Sequence, residues 1–472
     1  MTVSTYKTAS VEGPAASPRQ AAWFIEARAL AALAGPLILT QLAQMAIFTT
    51  DVVLLGRFSK TALAAAAIGN TVYYFAWLVG SGPASAVAPM IAHSLGVRAN
   101  EKAGVRAALR MGLWAVAIIS PPMMAVMWFA RPILLGLHQD PVLAAGAGQF
   151  VGMLSFGLPF TLGYLVLRNF VTALGRPNAA LWVMAATIGW NALAGWALIF
   201  GHFGAPRLGI VGSGLATASS SIFSFLAMVT VIQASPALRA YRIFRRFHRH
   251  ARFKLAEVFH LGLPIGMTMM LESMFFNAMT LIIGTFGMVQ VAAHQVAISV
   301  ASITFMVPLG VAMAATIRVG LAAGAGDRPG ARRAGLTAMG MGVAFIAAGG
   351  IAMALLGDRI AGLFVGGRAK DDLATIALAA LFLKVAAAFQ VFDALQVVGA
   401  LSLRGLKDAK APMFIAAGSY WLVGAPVSVV LGFGLHMRGL GVWIGMAVGL
   451  AAAAIAMVAR FQQLTKDGRH GA

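Results

Sequence analysis

Three carboxylates stand where carboxylates are expensive. Asp51, Glu272 and Asp393 interrupt the apolar runs MAIFTTDVVLLG, MTMMLESMFF and AFQVFDALQVVGAL, while the other eleven of fourteen acidic residues fall in tails, loops or run ends. A charged group at a bilayer centre costs roughly 2.5–3.5 kcal/mol on insertion scales. Such a group must face an interior, bind a cation, carry a proton or be spent on a buried structural hydrogen bond. Polar neighbours recur at helical spacing. Gln44 precedes Asp51 by two turns, about 10 Å, so Gln41, Gln44, Phe48, Asp51 and Leu55 form one stripe. Asn277 and Thr280 follow Glu272, and Gln390 and Gln396 flank Asp393 at three residues on either side. His294, in VAAHQVA, reads either as a proton relay or as a satisfied core histidine. Lys384 lies nine residues before Asp393, on the opposite face of the same helix, so the two are not an intrahelical pair.

The elements that position these groups are membrane helices. The chain has 472 residues, 60% hydrophobic and only 10% charged, with mean hydropathy +0.85. A soluble chain carries about a quarter charged residues. Cutting at polar and Gly/Pro breaks gives twelve apolar spans: 30–55, 62–92, 107–130, 142–167, 178–201, 208–234, 257–285, 290–322, 333–364, 373–402, 412–433 and 440–463. Residues 1–28 are polar and lack the apolar core of a signal peptide. They read as a cytoplasmic tail ending in an interfacial helix around Trp23 to Leu30. The absence of cysteine removes disulfide and thiolate chemistry.

The chain also repeats. A shift of 228 residues pairs Pro36 with Pro264, Phe48 with Phe276, Gly56 with Gly284, Gly82 with Gly310 and Gly96 with Gly324. Glu272 then corresponds to Gln44. Six spans per copy make the two copies parallel, which predicts an all-α polytopic protein of two six-helix lobes around a central cavity near the midplane. The lobes are expected at 29–238 and 257–464, joined by a basic linker at 239–256 and followed by a tail at 465–472.

The formal charge of +21 is mostly a topology signal. With both termini inside, 26 Lys and Arg fall in cytoplasmic segments and eight outside, with Lys384 left within a span. The inside count includes Arg168 and Arg176 as one loop, and Arg404 with Lys407 and Lys410 as another. The linker YRIFRRFHRHARFKLAEVF spaces Phe244, Phe247, Ala251, Leu255 and Val258 helically among arginines, as on an anionic leaflet. A solvated basic loop is the bland alternative, and nucleic acid is not the expected partner.

GPLILTQLAQMAIFTTDVVLLGRFSKTALAA, GLPIGMTMMLESMFFNAMTLIIGTFGMVQVAAHQ, FMVPLGVAMAATIRVGLAAGAGD and DALQVVGALSLRGLKDAKAP resemble the multidrug and toxic compound extrusion (MATE) family, from about Pro36 to the last span. The glutamate of span 7 with the aspartate of span 10 points to its bacterial NorM-like branch. The resemblance implies a monomeric twelve-helix antiporter in the bacterial inner membrane, without an organic cofactor, exporting amphiphilic organic cations against entering H⁺ or Na⁺. It implies that Glu272 and Asp393 form the C-terminal cation site (metal ligands if Na⁺ is coupled) and that Asp51 serves the N-terminal lobe. Two positions depart from the family. Span 5 often carries two asparagines four residues apart, and here Asn191 is followed by Gly195. A tyrosine often stands four residues before the span-10 aspartate, and here it is Phe389. Hard cations want several oxygens, whereas a proton needs one carboxylate, so both departures favour H⁺.

Two other classes were weighed. A lipid-linked saccharide flippase of the same wider superfamily favours cationic cavity residues and often extra helices. An intramembrane enzyme needs a catalytic pair or metal cluster. No zinc spacing, nucleotide-binding glycine loop or Ser/His/Asp set stands out, so a transporter rather than an enzyme is expected.

Overall fold

The computed structural model describes residues 18–97, 101–243, 252–366 and 370–466. The N-terminal residues 1–17, the linker centre with Phe244, Phe247 and Ala251, and residues 467–472 lie outside the described residues. The described residues are helical almost throughout. The order is α1 (Pro18–Phe58), α2 (Lys60–Val97), α3 (Glu101–Trp128), α4 (Ala130–Gly136), α5 (Pro141–Ser155), α6 (Leu158–Ala173), α7 (Pro177–Phe200), α8 (Ile210–Ala234) and α9 (Pro236–Arg239). It continues with α10 (Arg252–Gly284), α11 (Met288–Gly324), α12 (Arg328–Phe364), α13 (Lys370–Gly405), α14 (Lys410–Ala417), α15 (Ala425–Val429) and α16 (Arg438–Lys466).

Eleven stretches are long and apolar enough to cross a membrane, and α5 with α6, bent by 46°, makes a twelfth. The bend falls at Phe156–Gly157, where a Cβ on Gly157 would lie 2.8 Å from the Ala218 Cα of α8. Helix starts follow local chemistry. Asp140 caps α5, its Oδ1 accepting from Val142 N at 2.8 Å with Pro141 at the first helical position, and Asp327 caps α12 by accepting from Gly330 N. Span 11 is irregular, with π-helical turns at Gly418–Gly424 and Val430–Gly434 around α15. The helix expected at Trp23 to Leu30 is not separate; it is continuous with the first span in α1.

Among the described residues two large apolar cores form, one mainly from α2–α8 and one mainly from α10–α16. Helices α1 and α10 cross between them. Leu30, Ala34 and Leu37 of α1 belong to the C-terminal core, whereas Leu55 of the same helix belongs to the N-terminal one. In α10 the order is reversed: Val258, Leu261 and Ile265 join the N-terminal core, and Phe275, Met279 and Ile283 the C-terminal one. The crossing points carry the repeat-related prolines, and each is followed by a threonine that donates back to the proline carbonyl: Thr40 to Pro36 at 2.7 Å and Thr268 to Pro264 at 2.8 Å.

The start of the linker is clamped to the N-terminal core. Arg106 Nε donates to the Tyr241 carbonyl at 2.8 Å, and Arg110 Nε to the Ile243 carbonyl at 2.7 Å. The Tyr241 hydroxyl donates to Glu101 at 2.7 Å, and burial together with that carboxylate pushes its pKa above the usual phenol value. Tyr241 and Ile243 are buried, so this part of the linker is not a solvated loop.

Candidate functional site

In the N-terminal lobe α1 carries two separate polar clusters rather than one. Toward its end, Asp51 is held by two other helices. Asn191 Nδ2 of α7 donates to Asp51 Oδ1 at 3.2 Å, and Thr217 Oγ1 of α8 donates to Oδ2 at 2.8 Å. Asn191 is fully buried, with its own Oδ1 unpartnered among the described residues. The space of the absent second asparagine is apolar, because a Cβ on Gly195 would lie 2.8 Å from Leu54 Cδ1. The hydroxyl that replaces it comes from Thr217, one member of the run TASSS, which nothing in the sequence singled out.

Two turns earlier, Gln41 and Gln44 meet Arg168, a helical residue rather than the loop residue its place between spans 4 and 5 predicts. Arg168 lies within α6, only 5% exposed, and its Nη1 donates to Gln41 Oε1 at 3.1 Å and Gln44 Oε1 at 3.5 Å. Span 4 continues to Ala173, and the Gly175-Arg176-Pro177 turn ends it, so only Arg176 belongs to the loop. A guanidinium among neutral carboxamides thus marks the N-terminal lobe, and the repeat places Gln44 opposite Glu272. Among the described residues no carboxylate lies within ion-pair distance of Arg168.

The C-terminal lobe gathers the acids. Asp393 on α13 is 7% exposed, and its Oδ1 has no partner among the described residues. Glu272 on α10 lies within electrostatic reach of both Asp393 and Arg404, the latter in the last turn of α13 rather than in the loop beyond it. Gln390 and Gln396, one turn to either side of Asp393, are both buried. Gln390 Nε2 donates to the Ala301 carbonyl at 2.9 Å and to Thr304 Oγ1 at 2.6 Å, while the side-chain oxygens of both glutamines stay unpartnered among the described residues. Phe389 packs edge-on to Phe276 and Trp443, at 6.0 and 5.5 Å between ring centres. The missing hydroxyl at 389 has a counterpart. Tyr420, in the first π-helical turn and stacked on Phe275 at 5.3 Å, turns its hydroxyl toward Gln396 without reaching good hydrogen-bond geometry. A π-turn shifts side-chain phase by about one residue, which is how such turns re-aim groups at sites.

His294 sits beside this cluster. Its Nε2 and Thr280 Oγ1 are 3.0 Å apart, its ring packs against Trp443, and its Nδ1 is unpartnered among the described residues. Asn277 is not drawn in: it is exposed and donates to the Ser273 carbonyl of its own helix at 2.8 Å. The structure therefore joins Asp51 with Asn191 and Thr217, and Gln41 and Gln44 with Arg168, and it sets Glu272 within electrostatic reach of Asp393, which buried Gln390 and Gln396 flank.

Two crossed lobes of helices long and apolar enough to cross a membrane, with charges buried among them, define a polytopic helical membrane protein. The MatE family pattern matches residues 36–197 and 264–430, and the chain belongs to that family. It is 43% identical over 440 residues to the probable multidrug resistance protein NorM of Mesorhizobium japonicum, covering 93% of this chain and 94% of that one. It is 37% identical over 441 residues to the multidrug resistance protein NorM of Burkholderia vietnamiensis, with 93% and 94% covered. The eukaryotic MATE transporter AtDTX14 shares the fold at a TM-score of 0.82 and 21% identity, over 94% of this chain and 98% of that one. A MATE in the bent conformation matches at 0.83 and 18%, over 96% and 98%.

Proposed function

We propose that this multidrug efflux transporter exports amphiphilic organic cations in exchange for protons, from the bacterial inner membrane, with both termini cytoplasmic. The observation that carries the coupling is Asp393 Oδ1, a buried carboxylate oxygen without a donor among the described residues, with a second carboxylate, Glu272, within electrostatic reach. Two acids within electrostatic reach in low dielectric call for positive charge; Arg404 supplies part of it, and a proton or a cation supplies the rest. Competition between the two is sufficient for antiport: a proton entering from outside releases the drug, and its loss inside restores drug binding. Differential affinity between the two facing states supplies the drive. The basic residues concentrated at the terminus-bearing end support the orientation.

A sodium reading has its own support. Unpartnered oxygens of Gln390 and Gln396 accompany that of Asp393, and a hard cation needs such a set. Purified protein in proteoliposomes, under separately imposed proton and sodium gradients, decides between them. Drug flux driven by a pH gradient at zero sodium is the expected result. Flux that needs sodium at every pH reassigns Glu272 and Asp393 as sodium ligands.

A further inference from the structure

We propose that the terminus-bearing end is closed by a glycine seam and an ion-pair strap, and that this latch sets which way the transporter faces. The inference rests on the transport reading for its purpose and on the cytoplasmic placement of the termini for its side. Repeat mates Gly96 of α2 and Gly324 of α11 meet backbone to backbone. A Cβ on Gly96 would overlap the Leu321 carbonyl oxygen and lie 2.7 Å from Ala325 N; a Cβ on Gly324 would overlap the His93 carbonyl oxygen. Deeper in, Gly82 of α2 meets α10, where a Cβ would overlap the Gly262 carbonyl oxygen and lie 2.7 Å from Gly266 N. Between them a Cβ on Gly320 would lie 2.8 Å from Ala92 Cβ. From 82 to 96 the seam runs roughly 21 Å, a large part of the membrane thickness.

Close backbone approach through small residues is the way helices associate where lipid removes the hydrophobic drive. It tolerates no added volume. The strap adds direction. Glu26, buried near the start of α1, accepts from Arg318 Nε at 2.8 Å and Nη2 at 2.6 Å, a two-point carboxylate–guanidinium pair that ties α1 to α11. Beyond the crossing the same helix leaves Phe48 54% exposed. To open this end, α2 must leave α10 and α11, and the α1 strap must let go. Contacts that opening must break bias the equilibrium toward the closed state.

The chain has no cysteine, which makes a single reporter clean. Ser81 is fully buried in the seam, with its Oγ 3.8 Å from Met269 Sδ of α10. Ser81→Cys is labelled with a membrane-impermeant maleimide, from the terminus side in inside-out vesicles and from the other side in intact cells. Adding Gly96→Val or Gly324→Val is expected to raise the labelling rate from the terminus side by roughly fivefold or more. Glu26→Gln is expected to raise it less, and the swap Glu26→Arg with Arg318→Glu to return it toward the reporter alone. An unchanged or lower rate in valine variants that elute as the parent does overturns the latch. Should the valine variants not assemble, Gly324→Ala and Glu26→Gln carry the test, and no rise in either overturns it. Labelling needs no drug or gradient, so its failure is separate from that of the transport reading. A rise from the opposite face keeps the latch and reverses the orientation.

Discussion

At the scale of single residues, the two lobes hold their charges in different ways, and substitutions should separate them. Asp393 lacks a partner at one oxygen among the described residues, and Glu272 interacts electrostatically with both it and Arg404. Replacing a carboxylate by its amide there preserves volume and removes the titratable group. Asp393→Asn and Glu272→Gln are expected to fold and insert while cutting gradient-driven efflux by roughly tenfold or more. Near-normal efflux from both would remove them from the coupling site. Asp51 differs because it accepts from Asn191 and Thr217 on two other helices. Asp51→Asn keeps one acceptor oxygen and should lower transport with thermal stability in detergent nearly intact. Asp51→Ala leaves Nδ2 of fully buried Asn191 without its acceptor, whereas Thr217 keeps the Ser213 carbonyl, and should cost about 1–3 kcal/mol. Equal melting of the alanine and asparagine variants would show that those hydrogen bonds carry no stability.

At the scale of elements, the linker is the informative case. Its basic sequence reads either as a helix lying on an anionic leaflet or as a solvated loop, and its central residues lie outside the described ones. Its first residues, however, are built into α3: buried Arg110 donates to the carbonyls of Ile243 and Arg242, and Arg106 to that of Tyr241. Arg110→Ala should free this stretch at a cost of roughly 1.5–3 kcal/mol, the range for hydrogen bonds to charged groups. The readout is limited trypsin digestion, with cleavage after Arg239 or Arg242 at least several times faster than in the parent. Unchanged cleavage would mean that burial, Arg106 and the Tyr241–Glu101 hydrogen bond hold the segment without Arg110. The π-turns of span 11 belong to the same scale. They aim Tyr420 toward the Asp393 cluster, and Tyr420→Phe is expected to alter the ion dependence of efflux while leaving the Phe275 stack and stability in place.

At the scale of the whole molecule, α1 and α10 make the lobes interdependent, since each begins in one core and ends in the other. A chain cut in the linker and co-expressed as two halves should therefore assemble, through α1 on the C-terminal core and α10 on the N-terminal core. Co-purification of the tagged halves with retained efflux is the expected outcome. Halves that fold separately and do not associate would show that the crossed contacts are weaker than their burial implies. Such an experiment also isolates the covalent linker from the glycine seam, which joins α2 to α10 and α11 without it.

Composition and periodicity alone determined a great deal here. Twelve spans, their parallel duplication and the three costly acids follow from one-dimensional facts, because the bilayer imposes a length of apolar chain and penalises charge locally. The pairing of Pro36 with Pro264 and Gly96 with Gly324 was likewise visible as spacing. What each charge touches was not. Arg168 looked like loop because the apolar run weakens before the helix ends, and only tertiary packing shows it against Gln41 and Gln44. Thr217 and Tyr420 come from helices far along the chain, and their residue types are too common in spans to carry a signal. Asn277, by contrast, had the right type and spacing yet faces away and satisfies its own helix. Helical phase fixes which residues share a face, but which face meets which neighbour depends on how helices cross, and that is decided by long-range packing of small residues rather than by any local pattern.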